Sequence, residues 1–273
     1  MNVAIIGCGY VGTAVAKYWQ QKMTLVITAT TTTQERVQEL QNIAQKVVVL
    51  QGSNIEGLES VLHGQDCVLL SVAPNRGISY QETYLQTAKT VVEAIKKSSI
   101  KQLIYTSTCS VYGDKNGVLV DEETPTEPKN ENQSTLNETE QVLLTELKDK
   151  LHVCILRLGG IYGVNRELVK IYSRIAGKTR PGDGSEAANW IHLDDIVGAI
   201  EFARHYHLVG IYNLVDDANL SSREICDRVC EVHNLPKVTW DASQSSDRYY
   251  NARISNQKIK DAGYKLIHPQ MLF

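Results

Sequence analysis

Residues 2–12, NVAIIGCGYVG, join a short β-rich run to three glycines with the spacing G-x-G-x-x-G. In this pattern Gly7 permits a tight turn, Gly9 lets a ligand approach the backbone, and Gly12 lets the following helix pack closely on the strand. The start of that helix then directs backbone N–H groups and the positive end of its dipole toward a phosphate. The stretch predicts a dinucleotide pyrophosphate site, and the alternative is a tight turn without a ligand. The predicted contacts are Gly7, Gly9, Tyr10, Val11 and Gly12.

Apolar runs of strand length alternate with helical patterns up to about residue 160. Runs such as KVVVL at 46–50 and DCVLLSV at 66–72 are apolar almost throughout, which is typical of strands buried on both faces. Such strands separated by helices predict a parallel sheet with helices on both sides, the α/β doubly wound (Rossmann) fold. We expect residues 1–160 to form the dinucleotide-binding core and residues 161–273 a smaller substrate-side lobe, with some segments returning to the core sheet. Helices are predicted at 34–44, 80–98, 135–147, 221–233 (capped by Ser221 or Ser222) and 255–262, and a surface loop at 121–134.

The segment after the second predicted strand carries no carboxylate where an NAD site would have one. An Asp or Glu about 20 residues beyond the glycine motif normally binds the ribose 2′-OH of NAD. Here the strand ends in a run of threonines, and the first acid is Glu35. Thr30, Thr31 and the guanidinium of Arg36 offer donors to a 2′-phosphate instead. We therefore expect NADP in preference to NAD, the alternative being that the threonines only cap the next helix.

Composition and charge exclude several classes of protein. Of the 273 residues, 42% are hydrophobic and 22% are charged, which is ordinary for a globular chain with a sizeable core. A net charge of -3 argues against a nucleic-acid partner, and no apolar run approaches the roughly 18 residues of a membrane span. The chain start lacks the basic segment of a signal peptide, and the six cysteines are scattered. We therefore expect a cytoplasmic protein with reduced thiols.

Four further motifs follow the glycine motif along the chain. They are YTSTCSVYG at 105–113, LRLGGIYG at 156–163, WIHLDD at 190–195 and YNLVDD at 212–217. With these motifs, nearly the whole chain resembles the extended short-chain dehydrogenase/reductases, the nucleotide-sugar epimerase and dehydratase group. The resemblance implies an NAD or NADP cofactor, a nucleotide-sugar substrate and a homodimer formed by helices near 80–98 and 135–147. It also implies cofactor contacts at Ser71, Val72, Ala73, Ser107, Gly159 and Gly160.

The proton-transfer pair of this group is missing. The relatives use a Ser or Thr, a Tyr, and a Lys four residues beyond the Tyr to hold and deprotonate a substrate hydroxyl while the nicotinamide exchanges hydride. Thr108 matches the Ser or Thr. The acid that usually follows the Lys by four residues matches Glu140, which puts Asn132 at the Tyr position and Leu136 at the Lys position. Because neither side chain transfers a proton at neutral pH, the usual mechanism is not expected here.

The two YG turns offer candidate proton donors at positions other than the usual Tyr. Tyr112 and Tyr162 follow strands whose carboxyl ends bind ligands in such folds, and we predict Thr108 and Tyr112 as the catalytic residues. Packing is the alternative for both phenols. His192 is interpreted as a structural histidine rather than a base, and Cys109 as a small buried thiol rather than a nucleophile.

The C-terminal half offers one metal pattern and two arginines of interest. Cys226, Cys230 and His233 share one face of a predicted helix, but no fourth ligand is evident and their apolar neighbours favour core packing, so no metal site is predicted. Arg180 and Arg248 are candidates for a nucleotide diphosphate, since arginines of this half bind one in the relatives. The alternative is that both are ordinary surface arginines.

Two functional hypotheses remain open from the sequence. One is an NAD(P)-dependent oxidoreductase or epimerase that acts on a nucleotide sugar or a related carbonyl or hydroxyl compound without the usual Tyr and Lys. The other is a catalytically silent dinucleotide-binding protein, such as a redox sensor or a regulatory protein.

Overall fold

The structure is a computed structural model and describes residues 1–74, 77–246, 248 and 250–273. Strands and helices alternate along the N-terminal part of the chain, as the apolar pattern predicts. Their bounds are β1 (Asn2–Ile6), α1 (Tyr10–Lys22), β2 (Val26–Thr31), α2 (Val37–Leu40), β3 (Lys46–Val49), α3 (Ile55–Leu62), β4 (Cys67–Leu70), α4 (Thr87–Lys96), β5 (Gln102–Thr108), β6 (Asp114–Val120), α5 (Glu131–Leu147) and β7 (His152–Leu158).

Shorter elements follow in the C-terminal part of the chain. Their bounds are β8 (Gly160–Tyr162), α6 (Leu168–Tyr172), β9 (Thr179–Pro181), β10 (Trp190–His192), α7 (Leu193–Tyr206), β11 (Gly210–Leu214), α8 (Ser222–Val232), β12 (Thr239–Asp241), β13 (Asn251–Ile254) and α9 (Gln257–Asp261). A 3-10 turn at Gln34–Arg36 leads into α2, and a π-helical segment at Gln81–Gln86 leads into α4. None of the helices in the described part of the chain has the length and apolar character needed to cross a membrane.

A seven-stranded parallel sheet forms the centre of the fold. Its strand order is β3-β2-β1-β4-β5-β7-β11. In the register, Ile5 of β1 lies opposite Ala29 of β2 on one side and Leu69 of β4 on the other. The chain winds outward from β1 in both directions, so the carboxyl ends of β1 and β4 flank the crevice where doubly wound sheets bind ligands. The predicted α/β doubly wound fold is confirmed.

The main apolar core packs on this sheet because its inner strands are apolar on both faces. The run at 46–50, predicted to be buried on both faces, forms the edge strand β3 and is only partly buried, because this strand has a neighbour on one side alone. Ala4, Leu70, Leu103 and Ile155 come from four different strands and are almost fully buried, and they pack with buried residues of α3, α4 and α5. Each large apolar side chain buried in this way contributes about 1.5–3 kcal/mol. The core therefore fixes the sheet edge on which the glycine motif lies.

The chain divides into two compact units. The first comprises Met1–Thr108, Asn130–Arg157 and Val197–Tyr212, and the second comprises Cys109–Lys129, Leu158–Ile196 and Asn213–Phe273. The boundary predicted at residue 160 lies near the passage between Arg157 and Leu158. The second unit also contains residues 109–129, which the prediction assigned to the core.

Several predicted boundaries differ from the structure. Helix α5 begins at Glu131, inside the loop predicted at 121–134, because the Asn130 side chain caps it by accepting a hydrogen bond from the Gln133 N–H. Strands β6 and β13, which pair in parallel, were not predicted. The helix predicted at 34–44 is a 3-10 turn followed by the single-turn α2. By contrast, the predicted cap of α8 is confirmed, since Ser221 and Glu224 form a capping box.

Candidate functional site

The glycine motif forms a turn that only small residues allow. Gly7 has a φ of +88°, and a Cβ there would lie 2.6 Å from the carbonyl oxygen of Ser71. A Cβ on Gly12 would lie 2.7 Å from the carbonyl oxygen of Gly7. Gly9 differs, because a Cβ there would meet nothing within 4 Å. Packing therefore explains Gly7 and Gly12, whereas Gly9 faces open space into which a ligand fits.

Backbone N–H groups hold the loop in shape by donating hydrogen bonds to Thr30 of β2 and to Gly7. The Gly7 N–H donates to Thr30 Oγ1 (3.0 Å), the Cys8 N–H to the Thr30 carbonyl (2.8 Å) and the Gly9 N–H to the Gly7 carbonyl (2.8 Å). Tyr10 and Val11 then open α1, where backbone N–H groups point out of the helix end. The first turn of α1 contains no acidic residue, so its positive end is not neutralised and suits an anion.

A cleft of about 520 Å³ lies in the first unit beside this turn. Seven of the predicted cofactor contacts line it, namely Gly9, Thr30, Thr31, Arg36, Ser71, Val72 and Ala73. Its wall also contains residues that were not predicted, among them Leu50, Gln51, Gly52, Ser53, Glu82, Thr83, Gln86 and Thr87. The segment at 50–53 follows β3, and the rule that carboxyl ends of parallel strands share one edge would have found it.

The charges of the cleft are sparse. Among the described residues of its wall, Arg36 is the cation and Glu82 the carboxylate. The Arg36 guanidinium donates from Nη1 to the Cys8 carbonyl (2.5 Å) and from Nη2 to Thr13 Oγ1 (3.0 Å), and it also contacts Glu39 (3.3 Å). These bonds fix the guanidinium against the glycine turn, next to the threonines that end β2.

Cys8 lies in the same turn, and its thiol is unreactive. The residue is 2% exposed, and burial raises the pKa of its thiol to about 11. A thiol with such a pKa remains protonated at neutral pH and does not act as a nucleophile.

Ser107 belongs to a buried ionic network in the first unit. Its hydroxyl donates to Glu140 Oε1 (2.5 Å), and Arg157 donates from Nη2 to Glu140 Oε2 (2.7 Å) and from Nε to both carboxylate oxygens. Glu140 is 0% exposed and Arg157 2%. Tyr105 is buried nearby, and burial, followed by the charge of Glu140, raises its pKa well above the usual range. The network joins β5, α5 and β7, and the predicted cofactor contact of Ser107 stays a prediction.

Helix α5 lacks proton-transfer groups at the two predicted positions. Asn132 lies exposed in its first turn, and Leu136 is 5% exposed one turn further on. An amide and an alkyl group therefore stand where the relatives' Tyr and Lys are expected.

The predicted catalytic residues lie at the end of β5 and in the turn after it. Thr108 is half-buried and ends β5. Tyr112 is 0% exposed, its hydroxyl donates to Asn213 Oδ1 (2.8 Å), and its ring packs with Val120, Val215 and other apolar residues of the second unit. The Tyr112 hydroxyl therefore has no contact with solvent, and its catalytic role stays a prediction that this burial disfavours.

Tyr162 and the glycines before it are tightly packed in the second unit. Tyr162 is 2% exposed, its hydroxyl accepts a hydrogen bond from the Leu272 N–H (3.3 Å), and burial raises its pKa to about 12. A Cβ on Gly159 would lie 2.8 Å from the Asn189 carbonyl oxygen, and one on Gly160 would lie 2.9 Å from the Trp190 ring. Packing therefore requires glycine at both positions, whether or not they also contact a cofactor.

The two arginines predicted as candidates for a nucleotide diphosphate line one pocket of about 130 Å³ in the second unit. Arg180 and Arg248 share its wall with Tyr172, Glu186 and Trp240. The indole N–H of Trp240 is buried and has no hydrogen-bond partner among the described residues. Cys226 also lines this pocket, and Cys226 and Cys230 pack in the apolar cluster of this unit as the sequence favours.

Comparisons with known proteins identify the family. The model of the NAD dependent epimerase/dehydratase family matches residues 3–214. Protein YeeZ of Escherichia coli (strain K12) is 30% identical over 235 residues, which span 80% of this chain and 78% of that protein. The solved structure of the UDP-glucose 4-epimerase of Thermus thermophilus, complexed with NAD, has a TM-score of 0.79 at 19% identity, with coverage of 100% of this chain and 95% of that one.

A second solved structure has the same fold. The dTDP-glucose 4,6-dehydratase of Bacillus anthracis str. Ames, in complex with NAD, has a TM-score of 0.81 at 23% identity and coverage of 98% of this chain and 92% of that one. The family match extends over the glycine motif, the cleft and the whole central sheet. On this basis the chain belongs to the NAD dependent epimerase/dehydratase family.

Proposed function

We propose that the cleft of the first unit binds NADP(H) in preference to NAD(H). The observation that carries the proposal is the chemistry at the end of β2. Thr30 and Thr31 stand there without a carboxylate, and Arg36 is held beside them by Cys8 and Thr13. A carboxylate would bind the 2′-OH of NAD and repel a 2′-phosphate, whereas a guanidinium and hydroxyls donate to that phosphate.

Calorimetric titration with NADPH and NADH tests this preference. We expect the unsubstituted protein to bind NADPH more tightly. A hydrogen bond to a charged group contributes about 1.5–3 kcal/mol, so Arg36→Ala should weaken NADPH binding by about tenfold or more. NADH binding should change less, because it lacks the phosphate. Arg174→Ala removes an exposed arginine outside the cleft and serves as the control. An equal loss for both cofactors in Arg36→Ala would contradict the proposal.

We further propose a nucleotide sugar as the substrate class. The pocket of the second unit supports this class by itself, since Arg180 and Arg248 suit a diphosphate, and Tyr172 and Trp240 offer aromatic surface to a base. The buried indole N–H of Trp240 would gain an acceptor from such a ligand. Titration with UDP and dTDP tests this. Arg180→Ala and Arg248→Ala should each weaken binding, whereas Arg174→Ala should not.

The reaction we propose is oxidoreduction or epimerisation without the usual Tyr and Lys. When bound, the nicotinamide would supply hydride exchange. Thr108 is the half-buried hydroxyl that remains at the family's position for holding a substrate oxygen. Turnover of a panel of nucleotide sugars with NADPH or NADP tests this. Thr108→Val should abolish turnover and leave cofactor binding intact.

A catalytically silent dinucleotide-binding protein is the second candidate. The burial of Tyr112, Tyr162 and Leu136 favours it, because none of them brings a proton-transfer group to solvent. This candidate predicts that NADPH binds tightly and is never oxidised with any member of the panel. Any turnover that Thr108→Val abolishes would exclude it.

The family resemblance and the composition also lead us to propose an oligomeric state and a cellular location. We propose a homodimer through α4 and α5, although ion pairs such as Lys96–Glu146 make that surface polar. Light scattering on the purified protein tests it. We propose a cytoplasmic location, in which the six cysteines, all in the described part of the chain, would remain the free thiols that the structure contains.

A further inference from the structure

Two histidines and one aspartate meet in the second unit, outside the cleft and the arginine pocket. His192 ends β10, Asp194 lies in the first turn of α7, and His268 belongs to the segment after α9. Each offers one ligand atom, and these atoms all lie within 4.8 Å of one another. No metal site was predicted from the sequence, where only Cys226, Cys230 and His233 were considered as ligands, and His268 lies far from His192 and Asp194 along the chain.

We propose that His192, Asp194 and His268 form a binding site for a divalent transition-metal ion, with Zn²⁺ as the best-matched probe. Two imidazole nitrogens and one carboxylate oxygen are a ligand set that Zn²⁺ and its first-row neighbours take in proteins. The proposal concerns this chain's own residues and does not depend on the cofactor or on the substrate class.

The distances suit this ion. Asp194 Oδ2 lies 3.4 Å from His192 Nδ1 and 3.0 Å from His268 Nε2. Ligand atoms at roughly 2.1 Å from a tetrahedral zinc ion lie about 3.4 Å from each other. The two imidazole rings are already close, with centroids 4.1 Å apart. The Asp194 and His268 side chains are 56% and 21% exposed, which leaves them room to adjust to an ion.

The backbone fixes where His268 lies. The N–H groups of Ile267 and His268 donate to the two carboxylate oxygens of Asp195, at 2.6 and 3.0 Å. The Tyr264 hydroxyl donates to the Asp195 carbonyl oxygen (2.9 Å). Asp195 is 0% exposed and adjacent to Asp194. A buried neighbour of one ligand therefore positions another, which is how supporting residues preorganise a metal site.

Access and competition define the expected coordination. The exposure of Asp194 leaves room for water to fill the fourth position, as in sites with three protein ligands. The Asp194 N–H donates to His192 Nδ1 (3.2 Å), and a metal at that nitrogen replaces this bond. The alternative is a hydrogen-bonded trio without an ion, and the experiment distinguishes the two.

Titration of the chelator-treated 273-residue chain with Zn²⁺ and Co²⁺ tests the site. We expect saturable Zn²⁺ binding at one site per chain, a rise in melting temperature, and visible absorption bands from the Co²⁺ complex. His268→Ala and Asp194→Asn should each weaken Zn²⁺ binding by at least about tenfold, since even supporting residues of metal sites are worth that much. His205→Ala removes an exposed histidine of α7 and should leave binding unchanged.

Two results would overturn the proposal. One is the absence of Zn²⁺ binding by calorimetry in a protein whose melting curve is intact. The other is binding of equal strength in the unsubstituted protein, His268→Ala and Asp194→Asn, which would mean adventitious binding elsewhere. NADPH titration of the same samples separates this outcome from a failure of the cofactor proposal.

Discussion

Gly9→Ala separates the space that a ligand needs from the space that the fold needs. The added methyl group meets no atom within 4 Å, and the φ of Gly9 is -82°, outside the left-handed region. We therefore expect the free energy of unfolding to change by no more than about 1 kcal/mol. Gly12→Ala provides the contrast, because its Cβ would lie 2.7 Å from the Gly7 carbonyl oxygen. Overpacking of this kind typically costs about 1–3 kcal/mol.

Although Gly9→Ala should leave stability nearly unchanged, it should weaken NADPH binding. A methyl group at this position enters the space through which a pyrophosphate approaches the start of α1. Losing one hydrogen bond between a backbone N–H and a charged phosphate costs about 1.5–3 kcal/mol, which corresponds to a loss of affinity of about ten- to a hundredfold. The variant should therefore fold normally and bind NADPH poorly.

Calorimetric titration with NADPH and urea unfolding, performed on the same samples, provide the two readouts. Gly64→Ala is the matched control, because its φ of +69° makes alanine strained while nothing lies within 4 Å of the added Cβ. It should lose about 1–2 kcal/mol of stability and keep its affinity. If Gly9→Ala binds NADPH as tightly as the unsubstituted protein, the turn does not hold a pyrophosphate and the reasoning is refuted.

Three further predictions concern buried groups. Glu140→Gln leaves the Arg157 charge buried without its carboxylate and should lower the free energy of unfolding, measured in urea, by about 3–5 kcal/mol. The control Glu138→Gln, in the exposed pair with Lys89, should lower it by about 1 kcal/mol at most. Similar losses in the two variants would contradict a special role of the buried pair. Burial raises the pKa of Asp216 from 3.8 to about 7, so the folded state holds this proton more tightly than the unfolded state and this contribution to stability is lost as pH rises from about 4 to 7. Asp216→Asn should flatten that decline in urea midpoints measured across the range, and an unchanged slope would argue against it. Cys8, with a pKa of about 11, should react with iodoacetamide slowly at pH 8 and faster toward pH 11 by mass spectrometry, and rapid labelling of folded protein at pH 7 would be inconsistent with its burial.

The central sheet was predictable from sequence because its signal is local. Strands such as β1 and β4 have nearly continuous apolar runs, and the glycine motif fixes which strand precedes the first helix. The start of α5 was missed because residues 131–134, ENQS, carry no apolar stripe. Its beginning depends on the Asn130 cap, which is hard to recognise within a polar segment.

Contacts between distant parts of the chain could not be predicted. Strands β6 and β13 lie far apart along the chain, and Asn251 of β13 pairs with Asp114 of β6. The buried Tyr112 hydroxyl donates a hydrogen bond to Asn213 Oδ1, and no local pattern joins these two residues. The same holds for His268 and Asp194. Local periodicity says nothing about such pairings, which tertiary packing decides.

The buried bond between Glu140 and Arg157 is present although positions 132 and 136, which precede Glu140 on α5, carry no proton-transfer group. Helix α5 is therefore anchored by a bond that does not involve the side chains at 132 and 136. Substitutions at 132 and 136 would leave the Glu140–Arg157 bond, and with it this anchor of α5, in place.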